Sequence, residues 1–284
     1  MSCSLKALVG HRGGCTCLAA FIVIAALGYA PVNAAPIAVR FSEGVTHGYL
    51  LVRSLAGKTI GQGELTQVVN EGGLVESRMV FHFKDGSLHD EKVIFSQQRV
   101  FTLIRYHLVQ RGPSFPDQID VSIDRDTAEY KVRSKAVEDG KEEVLTGKFD
   151  LPKDAYNGML TMLSKNLRKG ADETVSVLAF TPRPQVIKVQ LLAMGEQTVH
   201  IGDRSSKARQ YDFKPQLGMI RQFLGRVTGK LPAHFHYECW ILDDEVPSFL
   251  QFEGPLQLMG PLLRIELVSP GLPAKPEDQK MSSK

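Results

Sequence analysis

The sequence predicts a mainly β protein: a long twisted antiparallel sheet with one or two amphipathic helices packed on its concave face. Three observations carry that expectation. Short runs of alternating apolar and polar residues recur along most of the chain, separated by Gly and Asp turns. The stretch Leu74–Gln97 holds two such runs around Asp85-Gly86, a strand folding back on a strand. Only one segment, 153–169, repeats its apolar residues firmly at helical spacing.

In chain order, the first segment reads as an export leader. Lys6 and Arg12 form a basic start without an acidic residue, Thr16 to Ala30 make an apolar run of 15, and Pro31 precedes the small-residue site Val32-Asn33-Ala34. A spanning helix needs ~17–25 residues, so cleavage after Ala34 is the expectation and a retained anchor the alternative. Residues 1–34 are then a signal peptide, 35–269 a single β-rich domain or two lobes joined near 150–170, and 270–284 a proline-rich, charged tail expected to be disordered. The predicted location is the periplasm or cell envelope.

Val39 to Ile60 reads as a first strand or two, turning at Ala56-Gly57-Lys58, and Leu65 to Asn70 continues the pattern before Glu71-Gly72-Gly73. In the hairpin, Val75, Met79, Phe81 and Phe83 share one face, Glu76, Arg78 and His82 the other, and Asp85-Gly86 supplies a tight turn. Val100 to Gln110 is apolar on both faces, which predicts an inner strand covered on both sides. Two prolines make Arg111–Pro116 a shaped loop. Strands are expected around Ile119–Ile123, Tyr130–Ser134 and Glu143–Phe149.

Leu151-Pro152 then leads into the predicted helix 153–169, with Asp154 in its first turn, Tyr156, Met159, Leu160, Leu163 and Leu167 on one stripe, and Gly170 as the stop. Further strands are predicted at Thr174–Phe180, Gln185–Met194, Thr198–Ile201, Arg209–Phe213, Ala233–Leu242, Ser248–Glu253 and Leu262–Val268. A second, shorter helix is expected on Leu217, Ile220, Phe223, Leu224 and Val227.

Losing the leader's two positive charges takes the formal net charge from +3 to +1, so no electrostatic argument favours nucleic acid or an anionic membrane surface. Three of the four cysteines lie in the leader, which leaves Cys239 without an intramolecular partner and expected to be buried. The chain has no G-x-S-x-G, no phosphate-cradling glycine loop, no HExxH and no CxxC pair, and no cofactor is predicted. His234, His236 and Glu238 point the same way at strand spacing and could hold a metal. They equally form the polar side of a strand whose other face is Phe235, Tyr237, Cys239 and Ile241. His82 and His89 flank the hairpin turn and are expected near each other on an exposed tip, as surface charge beside Asp85, Asp90 and Glu91. Asp243-Asp244-Glu245 reads as a turn, and Trp240 as packing.

A meander this long that curls without closing leaves a hydrophobic trough on its concave face. Met79, Phe81, Phe83, Met159 and Leu163 are the residues expected to meet a lipid or lipoprotein there. An ordinary core completed by the helices is the other outcome.

The order of elements, with Leu151-Pro-Lys-Asp-Ala-Tyr156 near the middle and Trp240-Ile-Leu-Asp-Asp-Glu-Val-Pro247 near the end, resembles uncharacterised exported bacterial β-rich families. These are similar to the half-barrel of the outer-membrane lipoprotein carriers. Phe83-Lys-Asp-Gly-Ser-Leu88 and Gln110-Arg-Gly-Pro-Ser-Phe-Pro116 look like signatures of such a family. The resemblance implies a twisted sheet wrapped around helices and a lipid- or lipoprotein-related role. Against that non-catalytic binder stands a hydrolase or metal enzyme built on His234, His236 and Glu238.

Overall fold

A computed structural model describes residues 36–136, 140–180, 183–201, 204–216, 237–257 and 260–268. The leader, the second helical candidate 217–227, His234, His236 and the tail lie outside the described residues.

The fourteen strands among the described residues all join one antiparallel sheet. β1 (Thr46–Ser54), β2 (Thr59–Val69), β3 (Leu74–Phe83), β4 (Leu88–Gln97), β5 (Phe101–Arg111), β6 (Asp117–Asp124), β7 (Glu129–Ala136) and β8 (Glu142–Lys148) form a continuous meander. A connection containing α1 (Leu160–Asn166) follows, and β9 (Asp172–Phe180), β10 (Pro184–Ile201), β11 (Arg204–Pro215), β12 (Glu238–Leu242), β13 (Ser248–Gly254) and β14 (Leu263–Val268) form a second. β14 pairs with β1 through the register Tyr49↔Val268 to Ser54↔Leu263. The chain therefore starts in the middle of the sheet, runs out to edge β8, and reappears at the opposite edge β9.

The sheet is open but strongly curved. Inner residues of β3–β5 (Val75, Val93, Phe95, Leu103) and of β10–β12 (Leu191, Tyr211, Phe213, Ile241) belong to one buried cluster with Met159, Met162 and Leu163. Residues so far apart in strand order meet only if the sheet wraps around the connection. A smaller cluster, Leu50, Val52, Phe81, Phe83, Phe115, Leu263 and Ile265, fills the bend where the two meanders join.

Two strands correct the expectations. β5 is not covered on both sides. The β4–β5 register passes from Ile94↔Arg105 to Phe95↔Leu103, so one residue of β5 is extra at Ile104. This bulge shifts the period, and Phe101, Leu103, Tyr106, Leu108 and Gln110 all face inward while Arg105 and His107 are exposed. The predicted strands 185–194 and 198–201 are likewise one strand, β10, with a register shift between Ala193 and Glu196.

The predicted helix 153–169 is only seven residues long. Gly158 at φ +67° blocks propagation from the N-terminal side. Residues 154–156 are drawn instead into contact with edge strand β9. Ala155 bridges Ser176 in parallel, the Tyr156 amide donates to the Ser176 carbonyl (2.9 Å), and the Ser176 amide donates to the Asp154 carbonyl (2.8 Å). At the far end, Asn166 donates its side-chain amide to the Met162 carbonyl, and Leu167 is extended. Tertiary hydrogen bonds thus override helical periodicity in 149–171.

Arg125 staples this connection to the first meander, donating to the carbonyls of Leu103 (2.5 Å), Leu151 (2.8 Å) and Pro152 (2.9 Å). Tyr156, fully buried, donates its hydroxyl to the Phe101 carbonyl and accepts the Ile37 amide. Among the described residues, no helix is long and apolar enough to cross a membrane.

Candidate ligand cavity

The inner faces of β2–β5 lie in three consecutive rungs. Gly63, Phe81, His89 and Gln110 form the first, Leu65, Met79, Glu91 and Leu108 the second, and Gln67, Ser77, Val93 and Tyr106 the third. Cross-strand neighbours on one face sit about 4.5–5.5 Å apart, so each rung is a row of contacting side chains. The rungs fall under α1, across from Phe213, Tyr237, Phe249 and Phe252.

Between α1 and these rungs the core is incomplete. A cavity of about 240 Å³ is lined by apolar groups, among them Leu50, Leu65, Met79, Leu160, Met162 and Ile265. An apolar cavity of ~150 Å³ is enough to admit benzene, so this one holds more than solvent-sized gaps. Its wall also carries Gln67, Ser77, His89, Glu91 and Lys165.

Each polar group arrives by a different route. The Glu91 carboxylate accepts the Tyr106 hydroxyl at 2.9 Å, its one hydrogen bond among the described residues. Desolvation raises its pKa above the usual carboxylate range, and the Tyr106 hydroxyl, equally desolvated, is pushed well above its own. Gly158, exposed and in left-handed geometry, borders the same carboxyl. A Cβ there would lie 3.1 Å from Glu91 Cδ and 2.7 Å from Val93 Cγ1. Gln67 donates weakly to the Met162 sulfur at 3.6 Å. Lys165 is already committed, with its ammonium 2.5 Å from the buried Glu43 carboxylate.

His89 is the least expected of these. It is 2% exposed, and burial lowers its pKa to about 4, so it is neutral at physiological pH. Its tautomer follows from its neighbours. Gln110 places Nε2 against both the Leu256 carbonyl (3.3 Å) and His89 Nδ1 (2.9 Å), and the carbonyl requires that atom to be the donor. Nδ1 is then the acceptor and Nε2 carries the proton. His89 Nε2 and Gln110 Oε1 are buried without partners, two of three such side-chain atoms among the described residues.

Of the five residues expected to meet a ligand, Met79 lines the cavity. Phe81, Phe83, Met159 and Leu163 are buried in the packing clusters around it. His82 is exposed, as expected, but it pairs with Leu88, and His89 pairs with Phe81 on the inner face. The expectation of an exposed, unperturbed His89 and Glu91 is therefore corrected. Asp90 points outward to Arg78 (2.6 Å), and Asp85 caps the turn through Ser87 and Ser114. Asp243 ion-pairs with Arg209 (2.8 Å), Trp240 is half-buried, and Cys239 is buried with its thiol pKa raised.

Glu238 opens β12, opposite Asp212 and Glu253. Among the described residues no group of three His, Cys, Asp or Glu side chains could hold a metal. A Ser-Lys-Asp cluster does exist: Lys188 Nζ lies 2.8 Å from Ser176 Oγ and 2.7 Å from Asp154. Ser176 is fully buried, and the cluster fastens the connection to β9 rather than facing the cavity.

No family model matches the chain, and no curated protein and no solved structure is significantly similar to it.

Proposed function

We propose that this is an exported, non-catalytic envelope protein that binds a hydrophobic ligand between its concave sheet and α1. The observation that carries the reading is the 240 Å³, largely apolar cavity between α1 and the inner rungs of β2–β5. A core of this size normally fills such a space, because each unfilled volume forfeits packing energy. Export rests on the composition of residues 1–34. The non-catalytic part of the reading rests on the sequence, which carries no G-x-S-x-G, HExxH or paired CxxC.

The test is native mass spectrometry of the protein purified from the envelope of a producing bacterium, with organic extraction of what it carries. A stoichiometric single-tailed lipid that is lost on substituting Thr161→Trp, which fills the cavity from α1, is the expected result. An empty protein that also fails to take up N-phenyl-1-naphthylamine, an uncharged apolar probe, would overturn the reading.

A further inference from the structure

The cavity wall is not uniformly greasy, and its polar groups are not scattered. Gln67 and Ser77 face each other directly across β2 and β3, and Glu91 lies diagonally beside Ser77 on β4. Adjacent strands are about 4.8 Å apart, so the three groups make a short polar stripe beneath α1. Each has unused hydrogen-bonding capacity. Glu91 is bonded only by Tyr106, Gln67 only to a methionine sulfur, and Ser77 by no side chain among the described residues. None of the three has an atom among the sealed, unpartnered groups of the interior. Their open valences therefore face space, and all three line the cavity.

We infer that the cavity selects a single-tailed amphiphile whose head carries uncharged hydroxyls, as in a monoacylglycerol, with the Glu91, Ser77 and Gln67 side chains receiving that head. This rests on the ligand-binding reading above and adds the chemistry of the head group. Three features favour hydroxyls. Glu91 and Gln67 both present acceptor oxygens, which need donors from the ligand. A carboxylate head would lose its water beside acceptor oxygens with no free cation among the described wall residues to meet it, since the nearby Lys165 is taken by Glu43. An ammonium head would have to be stripped of water to reach Glu91, a cost that a hydroxyl avoids. The hydroxyl also satisfies Glu91 whether or not its raised pKa leaves it protonated. Gly158 fits the same picture, since any side chain there would press on the Glu91 carboxyl and close its approach.

The experiment is displacement of N-phenyl-1-naphthylamine from the purified full chain at pH 7 by a monoacylglycerol, a fatty acid and an alkylamine of equal chain length. The monoacylglycerol is expected to bind at least ~10-fold tighter than the other two, a factor corresponding to ~1.4 kcal/mol. In Glu91→Leu the difference should fall to within about threefold, each displacement being referred to that variant's own affinity for the apolar probe. Ser77→Ala, a smaller change, should narrow the difference partially and serves if Glu91→Leu does not fold by circular dichroism. Equal binding of all three heads, or preference for the fatty acid or amine, would overturn this inference while leaving the cavity a lipid site. If neither the probe nor any tail binds, the parent reading fails and the inference falls with it.

Discussion

Acidification should expose the burial of His89. In the folded protein its pKa is about 4, against 6.5 for a free imidazole, because the ring sits beneath Phe81 and Phe115 and out of water. The nearby Asp90 carboxylate opposes that shift but does not cancel it. Above pH 6.5 the imidazole is neutral in both folded and unfolded chains, and its titration costs nothing. As pH falls from 6.5 towards 4, the unfolded chain takes up a proton that the folded one refuses, so stability drops by about 1.4 kcal/mol per pH unit. The full loss is about 3 kcal/mol, reached near pH 4. Glu91 acts in the opposite sense. Its raised folded pKa contributes stability at low pH that is lost as pH rises through that value. The two are separated by comparing urea unfolding of the wild type and His89→Asn from pH 7.5 to 4, since Glu91 is common to both. Asn at 89 retains an acceptor for Gln110 where Nδ1 stood. The wild-type curve should fall about 3 kcal/mol further over that range. Parallel curves would refute the buried, neutral imidazole and with it the inward face assigned to β4.

Other outcomes follow from the same geometry. Arg125→Gln removes most of the donors that hold the 149–159 segment to β5, and urea unfolding should show a loss of about 2–4 kcal/mol, at ~1.5–3 per charged hydrogen bond with desolvation returned. Gly63→Ala drives a methyl into the Val80 carbonyl and the Phe81 ring, so a loss of about 1–3 kcal/mol is expected in thermal melting or urea unfolding. Cys239, buried with its thiol pKa raised, should not react with an aromatic disulfide reagent at pH 8 until denaturant is added.

The alternation that marks a half-buried strand was legible along most of the chain, because one face of this sheet meets the core and the other meets water. The site was not, and the cause lies in one turn. A tight two-residue turn at Asp85-Gly86 would pair His82 with His89 and place both outside. Instead the Gly86 amide donates to the Phe83 carbonyl and the Phe83 amide to the Ser87 carbonyl, a three-residue loop with only Gly86 at positive φ (+86°). One extra residue turns all of β4 over, which carries His89 and Glu91 into the interior. Val93 and Phe95 held the missing signal, since they bury their apolar groups only in the register that also buries His89. The bulge at Ile104 concealed the phase of β5 in the same way, hiding Tyr106 and Gln110 among residues that looked two-sided. The short length of α1 was hidden for a different reason. The forces that straighten 149–159 come from Ser176 and Leu178, which donate to and accept from that segment across the fold and leave no trace in its own periodicity.

Where the sheet is only a scaffold, local and global demands agree: turns carry glycine at positive φ, outer faces carry paired charges, and edge strand β8 is charged and exposed. They disagree most densely in one region, although Arg209 Nε on β11 is also buried without a partner among the described residues. The inner rungs of β2–β5 hold a neutral histidine with an unpaired donor, a glutamine with an unpaired oxygen, a desolvated carboxyl and a cavity. Each unmet buried group costs on the order of 1–3 kcal/mol, and an aliphatic side chain would remove the cost at any of these positions. His89 Nε2 and Gln110 Oε1 are sealed and stay unmet, whereas Glu91, Gln67 and Ser77 open on the cavity, where the proposed ligand would supply partners from outside the chain.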